Sequence, residues 1–449
     1  MRQAWTRQAE KRCEYQKKWW QNVRLIFIRI KKFIKKTSEN AYVFSVIAKI
    51  VSVATGLLYS ILYSRYMKPE LRGIGSVIIN YAEIIMLVSC LGVYQGYPYF
   101  KKKTGKDIYA EFINLVSGMF LTYAVISFLL IVLFRPGIKF VIVFIIAPLM
   151  FATKQFNYIV LIENPHLRNS AQIWLDIFDI AFITILMLFT KASFSICVLY
   201  IVIKELVCAA VAFVNLRFSV SLIRPSLKQI IPYVKFGIVP MLTVVLMEIN
   251  YRADVLMLEY FDISKAQIGI YTLGVALAQK VWLIPDALKD ILLSNLAKGK
   301  NEKEVSKITR ISLSVMMVFV IALIILGKPV VPMLYGKEYD GAYMVILILI
   351  VGVVGMVFYK MIYSYNVIYG HKNVNLLFLG LAALVNVAVN AIVIPRWGIY
   401  GAGLASTLSY LLCGMAFLIY FCRKTNIPYR EMLFVQKEDL NIMNSFLKE

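Results

Sequence analysis

Charge is scarce in this chain. Of 449 residues only 16% are Asp, Glu, Lys or Arg, while 60% are hydrophobic. A soluble domain carries about 25% charged residues, so a water-soluble globule is excluded and an integral membrane protein is expected. Histidine is nearly absent, at two residues, and no metal-ligand spacing occurs; no metal site or other cofactor is expected. The six cysteines, Cys13, Cys90, Cys197, Cys208, Cys413 and Cys422, fall mostly within apolar segments without CxxC spacing. They read as small buried hydrophobes rather than a disulfide framework. Long hydrophilic connections are missing too. With no loop beyond about 20 residues there is no room for an extramembrane catalytic domain, and an enzyme is not expected.

What the chain has is apolar runs of spanning length. They lie near 41–63, 74–97, 110–134, 138–160, 170–190, 193–214, 233–258, 268–293, 309–327, 342–364, 374–394 and 399–422, which makes twelve expected helices. The formal net charge is +24. Beside so many spans this points to anionic lipid rather than nucleic acid. With both termini placed inside, the cytoplasmic segments hold 32 of the 49 Lys and Arg, the opposite loops 10 and the helices 7. That bias predicts a multi-pass protein with both ends cytoplasmic. Residues 1–40 are basic, with Trp19, Val23, Ile26, Ile30 and Phe33 at helical spacing; an interfacial helix and a basic tail are both compatible readings.

Faint duplication is visible. "RGIGSVIIN" in the second span matches "QIGIYTLGV" in the eighth, pairing Gly73 with Gly269. "FATKQFNYIVLIEN" lies on "VFYKMIYSYNVIYG" without gaps, setting Lys154 on Lys360. This suggests an all-α architecture of two pseudo-symmetric six-helix bundles, 41–214 and 233–422, joined by a linker at 215–232 and followed by a tail at 423–449.

Charges inside spans are costly and normally face protein or water. Lys49 sits about 12 Å into the first helix. Lys280 and Glu83 are similarly deep. Arg252 follows Glu248 by one turn, so the two can pair. Lys154 and Lys360 lie nearer the inner helix ends, where a long side chain can equally reach out to the membrane interface, and Asp286 follows Pro285. Asn386 and Asn390 share one helix face. A basic wet cavity would suit an anionic passenger, either a phosphate or a carboxylate. Asp176 and Asp179 have no evident partner in the sequence.

"NVAVNAIVIPRWGIYGAGLAST", Asn386 to Thr407, resembles the N-x3-N-x3-I-P-x2-G-x2-G-A signature of bacterial polysaccharide flippases. These form a branch of the multidrug/oligosaccharidyl-lipid/polysaccharide exporter superfamily. "SRYMKPELRGIGS", "YRADVLMLEYFDISKAQIGIYTLGVALAQ" and "VVPMLYGKEYDGA" resemble further family segments in the same order. Met67-Lys68 stands where the family has Leu-Gly. The resemblance implies a V-shaped pair of bundles in the bacterial cytoplasmic membrane. They would carry undecaprenyl-pyrophosphate-linked oligosaccharide for O-antigen or capsule assembly, with glycosyltransferases and a polymerase as partners. It also implies that Arg252 and Asp254 form a ligand or gate pair. The expected cavity set is therefore Lys49, Glu83, Arg252, Asp254, Lys280, Lys154, Lys360, Asn386 and Asn390. Glu83, Glu248, Asp254 and Asp286 are the candidates for coupling to H+ or Na+, with the membrane potential as the alternative drive. A drug/cation antiporter of the same superfamily is the nearest rival.

Overall fold

The computed structural model describes residues 41–105, 107–216, 227–299, 301–434 and 436. The basic leader at 1–40 and most of the expected linker and tail lie outside them. The elements in chain order are α1 (Ala41–Ser89), α2 (Val93–Thr104), α3 (Tyr109–Phe134), α4 (Ile138–Glu163), α5 (Pro165–Phe189), α6 (Phe194–Val214), α7 (Leu227–Tyr260), α8 (Lys265–Gln279), α9 (Leu283–Ala297), α10 (Lys303–Tyr335), α11 (Gly341–Ile368), α12 (Lys372–Thr425) and α13 (Tyr429–Leu433). Among the described residues every element is helical.

Ten helical stretches are long and apolar enough to cross a membrane, where the sequence suggested twelve spans. Two of the ten run 54 residues each, about 80 Å at 1.5 Å per residue. That far exceeds the ~30 Å hydrocarbon core, and each stretch reverses at a non-helical residue; the first also holds the turn at 90–92 between α1 and α2, with Leu91 and Gly92 at positive φ. In α1 the break is Lys68, with φ 60 and ψ 168. Pro69 follows it, and a proline ring disfavours helical backbone in the residue before it. Lys68 thus holds the positive φ that the resembled pattern gives to glycine, in an extended region costing a side chain roughly 1–3 kcal/mol. Its ammonium is tied to Glu338 at 2.9 Å. In α12 the break is Gly398, with φ 53 and ψ −130. The helix runs past Pro395, where the sequence suggested an end, and reverses three residues later. Asn386 reaches Ser409 across this turn at 3.2 Å. A straight helix would separate residues 23 apart by ~35 Å, so α12 is a hairpin.

Helix starts follow local chemistry. Asn164 caps α5 by accepting from Leu167 N–H at 3.0 Å, with Pro165 at the first position. Ser193 and Ser264 cap α6 and α8 in the same way. α7 begins at Leu227, earlier than the sequence suggested, and carries Pro232 and Pro240 inside it. Between α8 and α9 a single 3-10 turn spans Lys280–Trp282. It ends three residues before Pro285, which supplies no N–H to the ladder and crowds the preceding carbonyl.

The buried side chains form separate cores in the two halves. One around Tyr63, Ile146 and Tyr200 belongs to the first half, as does one around Phe112, Phe151 and Phe156 except that it takes in Tyr233 from the start of α7. A larger core around Tyr271, Met356 and Phe417 belongs to the second. Only Val77 of the first half is buried in the larger core, with Tyr81 packed on it. The two halves meet along the second segment of α1, which packs against both α7 and α8.

Candidate functional site

The halves are locked most tightly at the end carrying the Lys68 break. Gly73 and Gly269, matched as repeat equivalents, touch across the seam. A Cβ on Gly73 would lie 1.8 Å from the Lys265 carbonyl oxygen, and one on Gly269 would lie 1.8 Å from that of Pro69. Beside them Ser76 donates to Thr272 at 3.2 Å. Arg65 donates to the carbonyls of Leu334 and Met333 at 2.7 and 2.5 Å. Tyr339 donates to the Ser64 carbonyl at 3.2 Å. Glu259 accepts from Lys139 at 3.1 Å and from Lys265 at 2.8 Å. The opposite end is also in contact. A Cβ on Gly92 would lie 2.1 Å from the Gly237 carbonyl oxygen, Tyr233 packs on Phe112 at 4.6 Å and donates to Glu111 at 2.8 Å, and Tyr99 stacks on Phe236 at 4.6 Å, while Lys49 faces Asp290 at 3.8 Å with both side chains about half exposed or more.

Between these ends sits a charged cluster. Arg252 on α7 forms ion pairs with Glu83 of the first half and, through Nε at 2.6 Å, with Glu248 one turn earlier. It also donates to Asn80 Oδ1 at 3.3 Å. One guanidinium thus binds carboxylates from both halves, with two fork positions engaged at once. Lys154 on α4 is exposed and makes no ion pair among the described residues, and it lies close enough to Glu83 for its charge to act there. Lys280 is likewise exposed and unpaired among the described residues, on the irregular turn. Lys49 borders a cavity of about 480 Å³ that also takes in Ser52, Arg168 and Gln172.

Other expected cavity residues lie elsewhere. Lys360 does not reach for the membrane surface. It is only 10% exposed, pairs with Asp286 at 2.8 Å and rests over the Trp282 ring at 4.6 Å. Asp254 does not accompany Arg252 at the seam. It is buried inside the second half and accepts from Tyr271, from Val255 N–H at 2.8 Å and from Ser406 at 3.2 Å. Residues two apart on a helix point about 200° apart, so Arg252 and Asp254 leave opposite sides of α7.

Asn386 and Asn390 are fully buried and do not line an open cavity. Asn390 donates to Asn386 at 2.9 Å, Asn386 donates to Ser406 and Ser409, and Ser409 donates to Asn250 at 2.9 Å. The amides hold α7 and both arms of α12 together. Removing Asn386 strands the buried Asn390 amide, at about 1–3 kcal/mol, and takes one donor each from Ser406 and Ser409, which keep Asp254 and Asn250 as acceptors. Asn386→Ala should therefore lower the melting temperature of the purified protein by several degrees, and a Tm equal to the parent's would remove this structural role.

Asp176 and Asp179 now have partners. Asp176 accepts from Ser52 and, at 2.9 Å, from Gln172. Asp179 pairs with Lys204 at 2.9 Å, and that ammonium lies over Tyr59 at 4.8 Å. Sequence reasoning missed Asn80, although it sits three residues before Glu83 on the same face. It also missed the tyrosines around Lys360, although Tyr359 and Tyr363 stand one turn apart.

No family model matches the chain, and no curated protein matches it. Solved structures do. A lipid II flippase, MurJ, in an inward closed conformation is 14% identical, with a TM-score of 0.69 over 90% of this chain and 92% of the other. An inward-facing multidrug resistance transporter of the MATE family is 13% identical, with a TM-score of 0.60 over 84% and 98%. A Pyrococcus furiosus transporter of the MOP superfamily is 14% identical, with a TM-score of 0.56 over 86% and 95%. The chain shares its fold with these three proteins. Within it, Arg252 bridges the two halves, which touch backbone to backbone at Gly73–Gly269 on one side of it and at Gly92–Gly237 on the other.

Proposed function

We propose that the protein is a flippase. It moves undecaprenyl-pyrophosphate-linked oligosaccharide units across the bacterial cytoplasmic membrane by alternating access, for O-antigen or capsule assembly. The observation that carries the reading is Arg252, placed where the halves meet and held by carboxylates from both. The MurJ likeness supports a lipid-linked passenger. With the termini inside, the Lys68 end faces outward and the exposed Lys49–Asp290 pair faces the cytoplasm. A pyrophosphate entering there meets Lys49 and Arg168 first, then Lys154, then Arg252. At Arg252 it replaces Glu83 and Glu248 as the acceptor, since charge-assisted pairing with phosphate is strong. Losing the shared guanidinium loosens the bridge between halves and favours opening of the far end. Glycosyltransferases must supply this substrate and a polymerase must consume the product.

Of the four coupling candidates, Asp254 alone is buried without a cationic partner. The unpartnered Oδ1 of Asn390 belongs to the same network. An H+ or Na+ there would neutralise a charge that is otherwise costly to bury. Glu83, Glu248 and Asp286 are occupied by Arg252 and Lys360.

The test is full-length protein in vesicles loaded with undecaprenyl-pyrophosphoryl oligosaccharide, following appearance of the sugar to a non-permeant lectin. Lys154→Glu and Arg252→Glu should slow appearance at least tenfold with insertion intact. Asp254→Asn should remove the response to an imposed proton or sodium gradient. Parent-like rates in both charge-reversed proteins would sink the reading. The rival antiporter draws on the two carboxylates that outnumber Arg252 at the seam. Gradient-driven movement of a lipophilic cation, with no sugar movement, would select it.

A further inference from the structure

A second cavity, of about 370 Å³, is built wholly by the second half beside the Arg252 cluster. Its size falls within the ~300–1,000 Å³ range of small-ligand sites. Tyr251 comes from α7, Asp286 and Lys289 from α9, and Tyr359, Lys360 and Tyr363 from α11. Tyr251 immediately precedes Arg252, so one helix turns a guanidinium to the seam and a phenol to this pocket.

The hydrogen-bonding capacity of the pocket is largely unused. The Tyr251 hydroxyl is buried with no partner among the described residues. That of Tyr359 meets only the Met247 thioether at 2.9 Å, a weak acceptor. Asp286 is bound to Lys360 through Oδ1 and is 36% exposed, which leaves acceptor capacity. An unsatisfied buried hydroxyl costs roughly 1–3 kcal/mol, so a ligand rich in hydroxyls would be favoured here. The walls are aromatic: Tyr359 and Tyr363 lie 5.6 Å apart, and Tyr251 lies 5.1 Å from Trp282. A sugar ring offers both surfaces, apolar C–H faces for the rings and hydroxyls around the rim.

The matched lysines show how the halves diverged. Lys154 is exposed and unpaired among the described residues. Lys360 is pinned between a carboxylate and an indole. The first suits a mobile counter-charge for phosphate, the second a fixed donor to a neutral oxygen.

We infer that this pocket seats a monosaccharide ring of the lipid-linked glycan and sets sugar preference, separately from the pyrophosphate contacts. The inference rests on the flippase reading. The probes are undecaprenyl pyrophosphate and the same lipid bearing glucose, galactose, N-acetylglucosamine or N-acetylgalactosamine, with affinities measured on the full-length purified protein. At least one glycosylated lipid should bind tenfold tighter than the bare lipid. Tyr251→Phe with Tyr363→Phe should erase that gain and leave bare-lipid affinity within twofold. Because Tyr251→Phe removes a hydroxyl without a partner, its Tm should equal or exceed the parent's; a lower Tm would give the phenol a structural role and overturn the assignment. So would a panel that binds no tighter than the bare lipid, a gain that survives the substitutions, or an equal loss for every lipid. Bare lipid binding no better than undecaprenol would instead sink the flippase reading itself.

Discussion

Alanine at Gly73 should cut at least tenfold the rate at which Ser76→Cys and Thr272→Cys form a disulfide across the seam. In the parent the two side-chain oxygens are 3.2 Å apart, so the cysteine pair should oxidise readily. One added methyl would sit 1.8 Å from the Lys265 carbonyl oxygen, well inside contact distance. The obstacle is backbone on a packed helix, so nothing flexible can swing aside. Overpacking of this kind costs ~1–3 kcal/mol, and 1.4 kcal/mol is a factor of ten in population. Gly269→Ala should act alike, because its Cβ meets the Pro69 carbonyl at the same distance. Both substitutions should also slow transport, since the Lys68 end could no longer close. Parent-like crosslinking in both alanine proteins would mean that the glycine contact does not govern closure.

The second large effect is expected at Arg252. Arg252→Ala leaves Glu83 and Glu248 facing one another without their shared cation. Removing one partner from a poorly solvated ion pair typically costs ~3–5 kcal/mol, so thermal stability and transport should both fall sharply. Adding Glu83→Gln and Glu248→Gln should restore much of the stability, because the stranded charges are then gone, but should not restore transport. Arg252→Lys keeps the charge yet loses the planar fork, so it should hold one carboxylate at a time and give an intermediate result. If the triple variant is no more stable than Arg252→Ala, the carboxylates are not what the arginine neutralises.

Much of the fold was legible because bilayer physics writes it coarsely. Apolar runs marked the spanning stretches, and the reversals at Lys68 and Gly398 fall in the gaps left between them. Pro69 and Gly398 are each sufficient chemistry for a break. The repeat match of Gly73 with Gly269 was visible as an alignment, although only coordinates show that the two residues touch. Arg252 and Glu248 were readable as a pair from their spacing. The facing of polar residues was not readable. Asn386 and Asn390 sit on a helix that is apolar all round, so periodicity has no contrast to report, and Asp254 shares α7 with Glu248 and Arg252, whose charges masked its inward facing. A helix wheel cannot separate a water-filled seam from a dry polar seam between packed helices. Asp176 takes Gln172 from one turn earlier on α5, a spacing the sequence offered, while Ser52 of α1 and Lys204 of α6 are placed only by the packing. Lys360 looked like a residue reaching for the interface because its carboxylate and its indole come from elsewhere in sequence.

The Gly398 turn has a consequence for biogenesis. The arms of α12 are joined by a single residue, and Asn386 and Asn390 find Ser406 and Ser409 across it. Two amides entering lipid alone would resist partitioning. Delivered as a preformed hairpin, they shield each other during insertion, so the last two crossings should enter the bilayer together rather than one after the other.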